Sequence, residues 1–154
     1  SEIVPRLYVS DLSAAEDPAT LAAHGITHVL SAMPLPCPPP AHRARTHLCV
    51  PLQDTPFAEL VAHRPRTTQF IAAALRDPRA RVLVHCAMGA SRSVSVVCAY
   101  LVARHGLSPS AAVAHVRARR ACAAPNWGFV MQLEEYARSL DEDAEGSDDD
   151  DMCS

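Results

Sequence analysis

Val82-Leu83-Val84 is a wholly apolar run, too short for a helix, and it passes through His85-Cys86-Ala87-Met88-Gly89-Ala90 straight into a segment of helical spacing that begins at Ser91. A strand with no polar side has to be covered on both faces. It therefore belongs in the middle of a mostly parallel sheet that carries helices. The rest of the chain fits that demand. Ile3 to Val9 suits two short extended segments joined at Pro5, forming an edge pair, and Ile26 to Ser31 and Thr46 to Pro51 read as further strands.

Between them, Asp17-Pro18 followed by Gly25 supplies a cap, a first-turn proline and a stop, so residues 19–24 are predicted to be helical. Pro34 to Pro40, with Cys37 inside, reads as loop. The apolar series Leu60, Phe70, Ile71, Ala74 and Leu75 is helical in period, but Pro65 interrupts it, and the main helix is expected to begin near Pro65. Three helices then follow: residues 91–105 closed by Gly106, residues 108–120 opened by Ser108-Pro109, and residues 126–140. Strands alternating with helices, then a run of helices, imply an α/β fold of α+β layering with a central, mostly parallel sheet flanked by helices.

With 154 residues, one domain over residues 1–140 is the expectation, followed by an acidic, disordered tail over residues 141–154. The tail holds eight of the seventeen carboxylates, so fourteen arginines against nine carboxylates leave residues 1–140 at +5. A mildly positive body suits a phosphorylated partner, and it equally suits ordinary surface charge. No apolar run approaches the length needed to cross a bilayer, so no membrane partner is expected. The six cysteines are scattered and lack the spacing of a disulfide framework, which points to a reducing compartment, cytoplasmic or nuclear. The histidines show no metal-ligand spacing with the cysteines, so neither metal nor cofactor is expected. No direct nucleic-acid binding is predicted.

A strand that ends in a tight loop opening into a helix makes an anion site. Loop N–H groups converge there and the helix presents its positive end. On this reading the main chain from Ala87 through Met88, Gly89, Ala90, Ser91 and Arg92 holds the anion, with Gly89 letting the loop curl. Arg92, six positions after Cys86, can bring its planar fork back onto two oxygens. Cys86 would feel the helix end, the N–H dipoles and the guanidinium, all of which favour thiolate. The competing reading is a structural cysteine with an unrelated arginine six residues on. It accounts less well for the apolar strand, His85, Gly89 and Ser93 around the pair.

His85-Cys86 through Arg92-Ser93 resembles the signature of the protein tyrosine phosphatases, in the form typical of small dual-specificity phosphatases. Phe70-Ile71 before the signature strand and Pro125-Asn126-Trp127-Gly128-Phe129 with Gln132-Leu133 after it extend the likeness, which runs from about Ile3 to Leu140. The resemblance implies a protein phosphatase that hydrolyses phosphotyrosine and phosphoserine or phosphothreonine through a phosphocysteine on Cys86. It implies further that Asp54, thirty-two residues upstream, is the general acid and then the base. Arg92 would bind the phosphoryl group and Ser93 would help the thiolate leave. His85 would buttress the loop, and Asn126 would tie the last helix to it.

Arg119-Arg120-Ala121-Cys122 before Pro125-Asn126, with Gly128 to Tyr136, is similar to a ribosome-assembly-associated subgroup, which implies ribosomal assembly particles as a second partner beside phosphorylated protein. A zinc-binding domain that follows the phosphatase domain in that subgroup has no counterpart in residues 141–154. Readings left open are a phosphatase-fold scaffold or assembly factor with incidental activity, a phosphatase of non-protein phosphate, and a sulfur-transfer enzyme.

Overall fold

The computed structural model describes residues 1–34 and 46–152, and for residues 146–152 the backbone alone. The loop expected at residues 34–40 lies outside the described residues from residue 35 onward, Cys37 included.

Five strands, β1 (Glu2–Val4), β2 (Leu7–Ser10), β3 (His28–Ala32), β4 (Thr46–Val50) and β5 (Val82–His85), form one sheet in the order β1-β2-β5-β3-β4. β5 is central and runs parallel to β2 and β3, β4 runs parallel to β3, and only β1 is antiparallel, at one edge. Alternation along the strands divides the core. Leu7, Val9, Leu30, Val82 and Val84 face one cluster, which is completed by α3 (Leu60–Leu75), α4 (Arg92–His105), α5 (Pro109–Arg119) and α6 (Trp127–Met152). Tyr8, Val29 and Leu83 face a smaller cluster, completed by Ala15 of α1 (Leu12–Glu16) and Leu21 of α2 (Pro18–Ala23). Being covered on both faces is why β5 has no polar side. Behind the sheet, α4 is buried without a break from Ser93 to Val102.

Local signals account for most helix ends. Asp17 caps α2 through Ala19 N–H and Ser108 caps α5 through Ala111 N–H, each followed by proline, while Gly106 closes α4 at φ 67°. α1 was not anticipated; its signal is Asp11, whose carboxylate accepts from Ala14 N–H.

Two expectations are corrected. The main helix begins at Leu60, with Pro65 inside it. Contacts from α6 explain why the turn before the proline holds. Gln132 accepts from Val61 N–H (3.2 Å) and donates to Ala58 carbonyl (2.8 Å), Arg64 donates to the Tyr136 hydroxyl (2.9 Å), and Leu60 is buried. These outweigh the single backbone hydrogen bond that proline removes. The last helix was expected to end near Leu140, and its backbone continues to Met152. Leu140 is the last residue packed on the core, and 141–145 are exposed. Among the described residues no helix is long and apolar enough to cross a membrane.

Candidate active site

His85, the last residue of β5, sits in register with Ser10 and Ser31 on the neighbouring strands, so Cys86 leaves the sheet at the carboxyl ends of its parallel strands. Crevices at that end are where open α/β sheets receive ligands. The four carbonyls that follow Cys86 are all engaged from outside the loop. Ala87 carbonyl accepts from Leu12 N–H (3.0 Å) and Ala90 carbonyl from Ala124 N–H (2.7 Å). Arg120 serves the middle pair, Nη2 donating to Met88 carbonyl (3.3 Å) and Nε to Gly89 carbonyl (2.7 Å).

In a trans peptide the N–H opposes the C=O. With the carbonyls held outward, the N–H groups of Met88, Gly89, Ala90 and Ser91 turn inward, and Gly89 N–H indeed donates to Cys86 Sγ at 3.2 Å. Gly89 adopts φ 67°, and a Cβ there would press on Ser10 carbonyl and Arg120. Only glycine fits.

Ser91 precedes α4 without capping it by its own side chain. Its hydroxyl accepts from Asn126 N–H (2.9 Å), leaving the first N–H groups of α4 without a side-chain cap. Asn126 links three parts of the site. Its Oδ1 accepts from Phe129 N–H (2.9 Å), which fixes the amide's orientation, and its Nδ2 donates to Asp54 Oδ1 (3.0 Å). The exposed Asp54 is thereby two hydrogen bonds from the end of the loop. Gly128 lets the start of α6 approach Asp54's own loop, since a Cβ there would collide with the Pro56 carbonyl.

Arg92 is half-buried at the start of α4, its Nη1 donating to Leu52 carbonyl at 3.4 Å while its buried Nε has no partner among the described residues. Most of its hydrogen-bonding capacity is free for an anion. Ser93, fully buried, places Oγ 3.2 Å from Cys86 Sγ. Burial of Cys86 works against the thiolate. The hydrogen bonds from Ser93 side chain and backbone and from Gly89 N–H, together with the Arg92 charge, outweigh it and bring the thiol below its ordinary value. Cys98, buried without such donors, is pushed up to about 12. The loop, not burial, makes the difference between the two thiols.

Behind Cys86 lies a chain of polar side chains. His85 Nε2 meets Ser31 Oγ at 2.6 Å, and the same oxygen meets His47 Nε2 at 2.8 Å. Burial drives the His85 pKa down to about 4, the His47 and Arg92 charges adding to the fall while the Cys86 backbone and Asp11 oppose it.

The sign of the pH effect follows. Unfolded, His85 takes up a proton below about 6.5; folded, it stays neutral until about 4, so the unfolded state binds more protons in that window. The stability this burial permits is complete above about 6.5 and lost as pH falls towards 4. At pH 5 the loss is roughly 2 kcal/mol. Unfolding free energies from urea titrations at pH 7 and pH 5 should differ by that much more in the native protein than in His85→Gln. Equal pH slopes would mean that His85 is not buried neutral.

Arg120 and the Ser31–His47 pair escaped the sequence reading. Arg120 had been noticed only as part of an arginine run, and no local pattern shows that a residue thirty-one positions after Gly89 holds that loop's carbonyls. Ser31 and His47 meet only because β3 pairs with β4 and β5.

The family model of the dual specificity phosphatase catalytic domain matches residues 7–139. Mouse dual specificity protein phosphatase 22 is 36% identical over 138 residues, 90% of this chain and 73% of that protein. Fission-yeast (Schizosaccharomyces pombe) tyrosine-protein phosphatase yvh1 is 35% identical over 136 residues, 88% of this chain and 41% of that protein. The crystal structure of human DUSP28 superposes with a TM-score of 0.86 at 33% identity, covering 92% of this chain and 98% of that one. A sheet that delivers a cysteine into a ring of inward N–H groups, and these likenesses over nearly the whole length, give one answer: the chain belongs to the dual-specificity phosphatases, protein phosphatases that work through a phosphocysteine intermediate.

Proposed function

We propose that Cys86 is the nucleophile of this phosphatase and that the Cys86–Arg92 loop is its phosphate site. The observation that carries the assignment is the outward capture of all four loop carbonyls, which leaves the N–H groups to receive a phosphate. In the first step the Cys86 thiolate attacks phosphorus, the bond to the substrate oxygen breaks, and Asp54 gives that oxygen a proton. In the second, water attacks the phosphocysteine, Asp54 carboxylate takes the water's proton, and the thiolate leaves with inorganic phosphate released.

Arg92 and the loop N–H groups of residues 87–92 hold the equatorial oxygens through both steps. Ser93, at 3.2 Å from Sγ, stabilises the departing thiolate. His85 supports the loop from the sheet through Ser31, and Asn126 positions Asp54. Residues 1–140 form the catalytic domain, with the acidic segment after it as an appendage.

A thiolate nucleophile requires a reducing compartment, so cytoplasm or nucleus is the proposed location. Association with ribosomal assembly particles rests on residues 119–122 before Pro125-Asn126 and on Gly128 to Tyr136; within the first run Arg120 is engaged by the loop, and Arg119 and Cys122 are exposed. Co-sedimentation of the protein with such particles tests that reading.

The enzymatic assignment is tested with phosphotyrosine and phosphothreonine peptides of one sequence, assayed side by side with a chelator present. Both should be hydrolysed at rates the chelator does not change. Failure on both peptides, or dependence on added metal, would overturn the mechanism.

A further inference from the structure

The large apolar side chains exposed among the described residues are Phe57, Val61, Met88, Trp127 and Met131, and they are not scattered. Met88 stands on the Cys86–Arg92 loop, Phe57 three residues past Asp54, and Val61 in the first turn of α3. Trp127 and Met131 follow Asn126 one turn apart, four residues being the spacing that puts side chains on one helix face. Met88, Phe57 and Trp127 belong to segments that build the site, and Val61 and Met131 stand on the helices that continue from them.

Contacts join them further. The rings of Phe57 and Trp127 meet edge to face, centroids 6.2 Å apart at 84°, although Phe57 remains 85% and Trp127 60% exposed. The bond between Val61 N–H and Gln132 clamps the start of α3 to α6. An edge-on pair with open ring faces, held on a fixed frame, presents area for a third apolar side chain. Single exposed apolar residues need no explanation, whereas a cluster rimming a catalytic crevice marks a recognition surface.

The charges beside the patch discriminate between flanking residues. Ala87, Met88 and Ala90 bring no positive charge to the loop, and on the aromatic side the neighbours are the carboxylates Asp54 and Glu59. The Met88 side carries the Arg120 guanidinium, whereas on the aromatic side, beside Asp54 and Glu59, an acidic residue next to the phosphate would be repelled.

We infer that the rim selects phosphoproteins with a bulky apolar residue beside the phosphoresidue, seated against Phe57 and Trp127. The inference rests on the phosphatase reading of the same site and goes beyond it by naming the substrate class. An open rim should discriminate at the low end of what apolar contacts achieve, about tenfold.

The experiment compares kcat/KM for phosphotyrosine peptides carrying leucine, glycine or glutamate on both sides of the phosphotyrosine. It is run on the native protein and on Phe57→Ala, Trp127→Ala and the double variant. The ratio of leucine to glycine peptide cancels any general loss of activity in a variant. It should be about tenfold in the native protein and fall to within about twofold of unity in the double variant, with the glutamate peptide poorest in the native protein. A native ratio near one would overturn the inference, as would a ratio that survives the double substitution. An unchanged ratio accompanied by a native dimer that the double variant dissociates would reassign the patch to self-association. If the native protein hydrolysed none of the peptides, the phosphatase reading itself would fall, a result distinct from hydrolysis without preference.

Discussion

Cys86→Ser should abolish turnover of every phosphate monoester, with a loss on the order of 10⁶, the scale seen when a covalent nucleophile is removed. The forces that favour the thiolate at position 86 are hydrogen bonds from the Ser93 side chain, the Ser93 backbone and Gly89 N–H, together with the Arg92 guanidinium, enough to overcome burial for a thiol. A hydroxyl in the same place starts from a far weaker acidity and stays protonated. The loop should survive the change, because its shape depends on Leu12, Arg120 and Ala124 and not on the sulfur. Phosphopeptide binding by calorimetry should therefore persist while kcat vanishes. Residual turnover within about a hundredfold of the native rate would require another nucleophile.

Asp54→Ala should divide substrates by their leaving groups. In the first step an alkyl oxygen must gain a proton as it departs, whereas an aryl oxygen carrying electron-withdrawing groups leaves as a stable anion. Hydrolysis of alkyl or phenyl phosphates should slow by roughly 10²–10⁴, the range for a positioned general acid, and activated aryl phosphates should slow far less. Asn126→Ala removes the donor that positions the carboxylate at 3.0 Å and should give a smaller effect with the same dependence on leaving group. A uniform loss across all leaving groups would mean that Asp54 shapes its loop, with the acid to be sought at Glu59 or in a water.

What the sequence made legible were the features encoded by neighbouring residues. The apolar run at 82–84 announced a central strand, Asp17-Pro18 and Ser108-Pro109 announced helix starts, and Gly106 announced a helix end. The Cys86 loop could be anticipated for the same reason, since strand, loop and helix are contiguous. Features settled by distant partners were not legible. Pro65 argued locally for a helix beginning there, but Gln132 and Tyr136, some seventy residues away, hold the preceding turn in helical form. Arg120 enters the sequence reading only through the likeness of residues 119–122, and no local pattern places its guanidinium on the Met88 and Gly89 carbonyls. Asn126 was expected to join the last helix to the loop. Its simultaneous grip on Asp54, Ser91 and Phe129 emerged only in three dimensions.

Covalent passage of phosphate through Cys86 is open to direct trapping, by acid-quenching the native protein during turnover of a radiolabelled phosphopeptide and locating the label by peptide mapping. Label should be found on Cys86 alone, present in the native protein, more abundant in Asp54→Ala with an activated aryl phosphate because the second step has lost its base, and absent from Cys86→Ser. Label on Ser93 or His85, or turnover at the native rate with no trapped phosphoenzyme under any condition, would contradict it.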